Sequence, residues 1–107
     1  MGDRPMTFLR RAARVDSNQS EIVAAFRKMG CSVLIISQLK NCADLVISNG
    51  PATVVVEVKD GTLPLSARKL TAGEERFRQE WKGAYCVVES LQDAADLVRV
   101  MSFKERI

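Results

Sequence analysis

The chain has 107 residues, 47% of them hydrophobic and 27% charged. That is enough apolar material for one packed domain and excludes a disordered tail as its main character. Its 16 Lys and Arg against 13 Asp and Glu give a net charge of +3, which suits a polyanionic partner without requiring one.

Histidine is absent, so Ser-His-Asp and Cys-His catalysis are ruled out; only Asp, Glu, Lys, Tyr or a metal-activated water is left to move protons. No apolar run approaches the roughly 20 residues that span a bilayer, and no secretory signal is visible, so the expected location is the cytoplasm, with no membrane partner. Cys31, Cys42 and Cys86 are an odd, widely spaced set beside apolar runs. They are expected to be core thiols of a cytosolic protein rather than zinc ligands.

In chain order, residues 1–14 carry Arg4, Arg10, Arg11 and Arg14 and read as a flexible basic arm; 15–107 read as a single domain without internal repeats. Ser17-Asn18-Gln19-Ser20 supplies capping residues, and Ile22, Ala25, Phe26 and Met29 recur at helical spacing until Gly30. Strands are expected over Cys31–Ser37, within the run Cys42–Ser48 that carries Asp44, and over Thr53–Lys59. Asn49-Gly50-Pro51 between the last two predicts an antiparallel hairpin. Asp60-Gly61 opens a loop containing Pro64. Thr71 and Glu74 have capping-box spacing, opening a second helix that runs to about Trp81 and stops at Gly83. Ala84–Val88 is a fourth strand. Ser90 caps a last helix with an apolar stripe of Leu91, Ala94, Ala95, Val98 and Met101. The order α-β-β-β-α-β-α predicts an α/β domain, a mixed sheet flanked by helices.

Alternation along the third strand puts Glu57 and Lys59 on one face and Val54, Val56 and Val58 on the other. A hairpin would bring Asp44 beside Glu57, giving two carboxylates with an ammonium next to them. Such a trio can hold a hard divalent cation on oxygen and steady an anion beside it, the chemistry of phosphate esters. Taken alone, an Asp followed later by Glu-X-Lys is a weak pattern that chance surface charges explain better; the order, the strand context and the upstream helix glutamate together reverse that balance. Glu21 at the border of the first apolar stripe fits either a ligand or a first-turn charge favoured by the helix dipole. Glu74 shares a helical face with Leu70, Phe77 and Trp81, where a carboxylate is costly unless partnered, and its spacing from Thr71 fits a capping box. Arg76, Arg78 and Lys82 alternate with Glu75 and Glu80 as on a solvated face. Arg68 and Lys69 are therefore the better phosphate contacts, and Phe77 and Trp81 are expected in the core.

Four segments carry a family resemblance. They are Asp16-Ser17-Asn18-Gln19-Ser20-Glu21-Ile22-Val23, Ala43-Asp44-Leu45-Val46, Glu57-Val58-Lys59-Asp60-Gly61 and Lys69-Leu70-Thr71-Ala72-Gly73-Glu74. Together they resemble the PD-(D/E)XK nuclease superfamily, and within it the small stand-alone VRR-NUC-type nucleases of phages and prophages, over about residues 15–98. The resemblance implies a restriction-endonuclease-like αβββαβα core with a four-stranded mixed sheet, and a phage or prophage protein in a bacterial host.

It also implies that Asp44, Glu57 and the Val58 carbonyl hold Mg²⁺ or Mn²⁺, with Glu21 acting directly or through water and Lys59 as the catalytic ammonium. Glu74 and Gln19 would support the ligands or touch substrate, while Arg14, Lys40, Arg68 and Lys69 would contact DNA. The implied activity is divalent-metal-dependent endonucleolytic cleavage, structure-selective for branched DNA, by a homodimer whose candidate interfaces are the basic arm and Val100, Met101 and Phe103. The alternatives are a catalytically silent nucleic-acid-binding module on the same fold, or an accessory subunit of a phage replication or repair complex. Two departures bear on specificity rather than on ligands. Ala43 stands where the family has proline before the aspartate, and Gln38-Leu39-Lys40-Asn41 replaces a glycine-rich approach.

Overall fold

The structure, a computed structural model, describes residues 16–103; Arg14 and the rest of the basic arm lie outside the described residues. The elements are α1 (Gln19–Lys28), β1 (Ser32–Ile35), β2 (Leu45–Ser48), β3 (Thr53–Val58), a 3-10 turn (Leu65–Arg68), α2 (Ala72–Glu80), β4 (Tyr85–Val88) and α3 (Leu91–Phe103). The chain is α/β. Its mixed four-stranded sheet, in the order β1-β2-β3-β4, is flanked by three helices, in the α-β-β-β-α-β-α order that periodicity predicts. β1–β2 and β2–β3 are antiparallel, and the crossover through α2 sets β4 parallel to β3.

Local chemistry explains the joints. Gly30 ends α1 at φ 93. The Gly30 N–H returns to the Arg27 carbonyl and the Cys31 N–H to that of Phe26, a Schellman closure that a Cβ-free residue accommodates. Between Ser48 and Thr53, which pair across the hairpin, the Ala52 N–H donates to Asn49 Oδ1 at 3.0 Å and Gly50 takes φ 105. β1 is shorter than the Cys31–Ser37 run predicts, because its partner β2 offers only Leu45–Ser48 to pair with.

The core lies on one face of the sheet. Leu45, Ile47, Val54, Val56, Val58 and Val88 pack there against Ile22, Val23 and Phe26 of α1 and Ala94 and Met101 of α3. The opposite face, which carries Glu57 and Lys59, is covered more thinly, since α2 buries none of its residues. Among the described residues, no helix is long and apolar enough to cross a membrane.

Candidate active site

Asp44 sits one residue before β2, yet its backbone is fixed on both sides. Its N–H donates to the Val56 carbonyl at 3.0 Å, and its carbonyl accepts from the Ile36 N–H at 2.8 Å. Where β2 has ended, the Asp44 side chain continues the ladder: Oδ2 accepts the Val58 N–H at 2.7 Å. The register that pairs Leu45 with Val56 leaves Asp44 opposite Glu57, and the two carboxyl groups hydrogen-bond to each other.

Glu57 is only 3% exposed. Burial, then the negative charges of Asp44 and Glu74, push its pKa up to about 8, against the pull of Lys59. Asp44 is also raised, chiefly by burial, and restrained by the Val58 N–H and the bond with Glu57. At neutral pH the pair therefore retains a proton unless further positive charge arrives.

Lys59 supplies part of that charge. Its Nζ lies 3.4 Å from Glu57 Oε2 and 3.0 Å from Glu74 Oε1. Burial opposes its ionisation, but the hydrogen bond it donates to Glu74 and the charges of Glu57 and Glu74 prevail, so its pKa is raised. Glu74 makes two sets of hydrogen bonds at once. Its Oε1 accepts the Thr71 N–H at 2.9 Å while Thr71 Oγ1 accepts the Glu74 N–H at 3.1 Å, a complete capping box, and the same Oε1 holds Lys59. The first turn of α2 is thus tied to the end of β3.

Asp44, Glu57, Thr71 and Glu74 border a cavity of about 210 Å³, lined also by Ser37 and Lys40 among others. The loop before Asp44 closes one side of it by pressing on α2; a Cβ at Gly73 would fall 2.1 Å from Asn41 Oδ1. A larger cavity of about 490 Å³ opens at the other end of β3, against α3. Its acids are already engaged, Asp93 by the Glu89 N–H and Asp96 by Arg99 and Gln92, so the smaller, polar cavity is the chemical one.

Of the other sequence candidates, Gln19 is buried at the start of α1; its Nε2 donates to Ser37 Oγ at 3.4 Å, and its Oε1 has no partner among the described residues. Glu21, about 200° further round the helix, is exposed and is not among the charges acting on Asp44 or Glu57. Arg68 is spent within the protein, Nε on the Leu63 carbonyl at 2.7 Å and NH1 on Glu89 at 2.9 Å. Lys40 and Lys69 are exposed.

Two contributors escape the sequence reading. Asp16 stands close enough to act on Asp44, and its own pKa is raised by burial, with Lys59 pulling it down. Asn18 makes no capping bond. Instead its Nδ2 donates to the Lys59 carbonyl at 3.1 Å and to that of Glu89 at 3.5 Å, pinning α1 to the strand end that bears the site.

The donor set fits a hard divalent cation. Two carboxylates, one of them buried, stand side by side and are short of positive charge, and every donor is a hard oxygen. Among the described residues no three His, Cys, Asp or Glu side chains form a ready-made shell. A cation here would rest on two carboxylates and complete its shell with carbonyl, water or phosphate oxygens, the sparse protein coordination usual for Mg²⁺. Comparison with protein-family models, curated proteins and solved structures finds no match.

Proposed function

We propose that the protein is a divalent-metal-dependent DNA endonuclease that hydrolyses phosphodiesters and favours branched DNA. One observation carries this reading: Asp44 and Glu57 stand side by side at the wall of a polar cavity, with the buried Lys59 ammonium 3.4 Å from Glu57. Burying such charges costs several kcal/mol each before they find partners, and a module that only binds DNA gains nothing from converging them. The resemblance to PD-(D/E)XK nucleases at these same residues points the same way.

Asp44 and Glu57, with the Val58 carbonyl, would hold Mg²⁺ or Mn²⁺. The cation would polarise the scissile phosphate and make water a stronger nucleophile. Lys59, aimed by Glu57 and Glu74, orients the attacking water or offsets the charge that develops on the phosphate. Glu74 and Thr71 hold the ammonium in line. Two copies related by a two-fold axis would serve both strands of a junction. The exposed Val100 on α3 is a candidate contact, whereas Met101, 2% exposed, belongs to the core.

The test is cleavage of matched junction, flap, bulged and linear DNAs by purified protein with Mg²⁺, with Mn²⁺ and in EDTA, alongside light scattering. Metal-dependent cutting of the branched substrates by a dimer is expected. Tight DNA binding without any cleavage would establish the silent module instead, and an active particle near the 11.9 kDa of one chain would remove the dimer.

A further inference from the structure

The exposed end of α2 carries a feature that the site chemistry does not use. Trp81 is the chain's single tryptophan. The sequence places it in the core, yet it keeps 43% of its surface exposed. Its orientation is nevertheless fixed. Nε1 donates to the Ala84 carbonyl at 3.1 Å, and its ring stacks on Phe77 with centroids 5.5 Å apart and planes at 25°. Gly83 leaves the ring its room, since a Cβ there would come within 3.0 Å of Nε1. Phe77 in turn leans on Tyr85 at 6.3 Å.

This run of rings leads to the acidic site. Tyr85 pairs with Val55 and Val87 with Glu57 on the parallel ladder, so Tyr85 and Glu57 project from the same face, offset by about 7 Å along the sheet and one strand across. Glu74, Phe77 and Trp81 fall on one face of the helix, with Trp81 roughly 10 Å along the axis from Glu74. Charges of both signs surround the run: Glu57 and Glu74 act on Tyr85 more than Arg78 does, Arg78 is paired with Glu75, and the exposed Lys82, next to Trp81 in the chain, makes no ion pair among the described residues.

We propose that Trp81, backed by Phe77 and Tyr85, is a stacking platform for an unpaired base of a DNA strand whose adjoining phosphate lies at Asp44, Glu57 and Lys59. This rests on the nuclease reading and deepens it by naming the substrate class: DNA with at least one unstacked nucleotide beside the cut. A fixed, half-open indole beside the exposed Lys82 matches a nucleotide's two halves, a flat π-face and an anion. An intact duplex stacks its bases on one another and offers the platform nothing. A bulge, flap or junction core does.

Because Trp81 is the chain's single tryptophan, its own emission reports the contact. The experiment titrates the full-length protein in EDTA with single-stranded, bulged and blunt duplex oligonucleotides. It follows tryptophan fluorescence and measures affinities for the wild type, Trp81→Ala and Trp81→Phe.

Quenching by single-stranded and bulged DNA but not by blunt duplex is expected. Trp81→Ala should weaken binding of bulged DNA about tenfold and of blunt duplex far less, because phosphate contacts carry the latter. Trp81→Phe should retain most of the affinity. Unchanged emission, or equal losses on both DNAs, overturns the platform. So does a dimer that Trp81→Ala splits without loss of affinity, which would make this face a contact between copies. Since nothing turns over in EDTA, quenching without later metal-dependent cleavage sinks the nuclease reading alone, and cleavage without quenching sinks the platform alone. If Trp81→Ala does not fold, the wild-type emission and Trp81→Phe still decide.

Discussion

The two faces of the sheet are built on opposite terms. Under α1 and α3, Ile22, Phe26, Leu45, Val56, Val58, Val88 and Ala94 are almost wholly buried, with no charge among them. Under α2, the sheet buries Glu57 and Lys59 beside Asp44, and the helix above them buries nothing of its own. Apolar burial contributes about 25 cal/mol per Å² removed from water, so the first face can supply the stability that the second spends on desolvated charge. The same strand serves both. In β3, Val54, Val56 and Val58 pack into the core, while Glu57 between them lines the site. One sheet thereby carries an apolar core on one face and a buried polar cluster on the other.

That division is broken most sharply by removing a charge from one face and a ring from the other. Asp44→Asn or Glu57→Gln should abolish metal-dependent cleavage and leave the thermal midpoint unchanged or raised, because a repelling carboxylate has gone. Phe26→Ala should do the reverse, costing about 3–5 kcal/mol of stability while any folded fraction still cleaves. Denaturation curves run beside cleavage assays check both, and a large stability loss in Asp44→Asn would show that the acidic pair also holds the fold together.

A smaller effect sharpens the role of Lys59. Lys59→Ala should slow turnover by at least ~10²-fold, the scale of one charge contact in a transition state. DNA affinity should change much less, since it is spread over many phosphates. Single-turnover kinetics with separate binding measurements would reveal an ordinary backbone contact if both fell together.

The gentlest probe is pH. A carboxyl whose pKa rises on folding favours the fold fully below its unfolded value and loses that contribution as pH climbs through its folded value. Glu57 goes from 4.5 to about 8, so metal-free protein should lose stability as pH rises across that window. Glu57→Gln should flatten the decline, and unfolding midpoints from pH 4 to 9 in EDTA measure it; an equally steep decline in Glu57→Gln assigns it to another group.

Much of this was legible in the sequence, for reasons particular residues make plain. Asn49-Gly50-Pro51 announces the hairpin, and strict alternation then fixes Glu57 and Lys59 on one face, so the acidic pair follows from two local rules. The capping box at Thr71 and Glu74 is equally local. Tertiary choices were not legible. Spacing alone does not decide whether Gln19 or Glu21 turns inward, because the two differ only by their angle on α1 and both border its apolar stripe. Asn18 has a cap's identity and position, yet its amide finds the Lys59 and Glu89 carbonyls, which lie far along the chain. Arg68 is taken by Glu89 in the same way. Trp81 reads as core by type and spacing, and is left partly open because α2 ends where the sheet no longer covers it.

The most direct measurement of the central claim is calorimetric titration of Mn²⁺ into wild-type protein and into the Asp44→Asn and Glu57→Gln variants, without DNA. Saturable binding of Mn²⁺ to the wild type, lost or greatly weakened in both variants while they remain folded, is the expected result. Binding of equal strength in all three proteins would contradict the assignment of Asp44 and Glu57 as the cation's ligands.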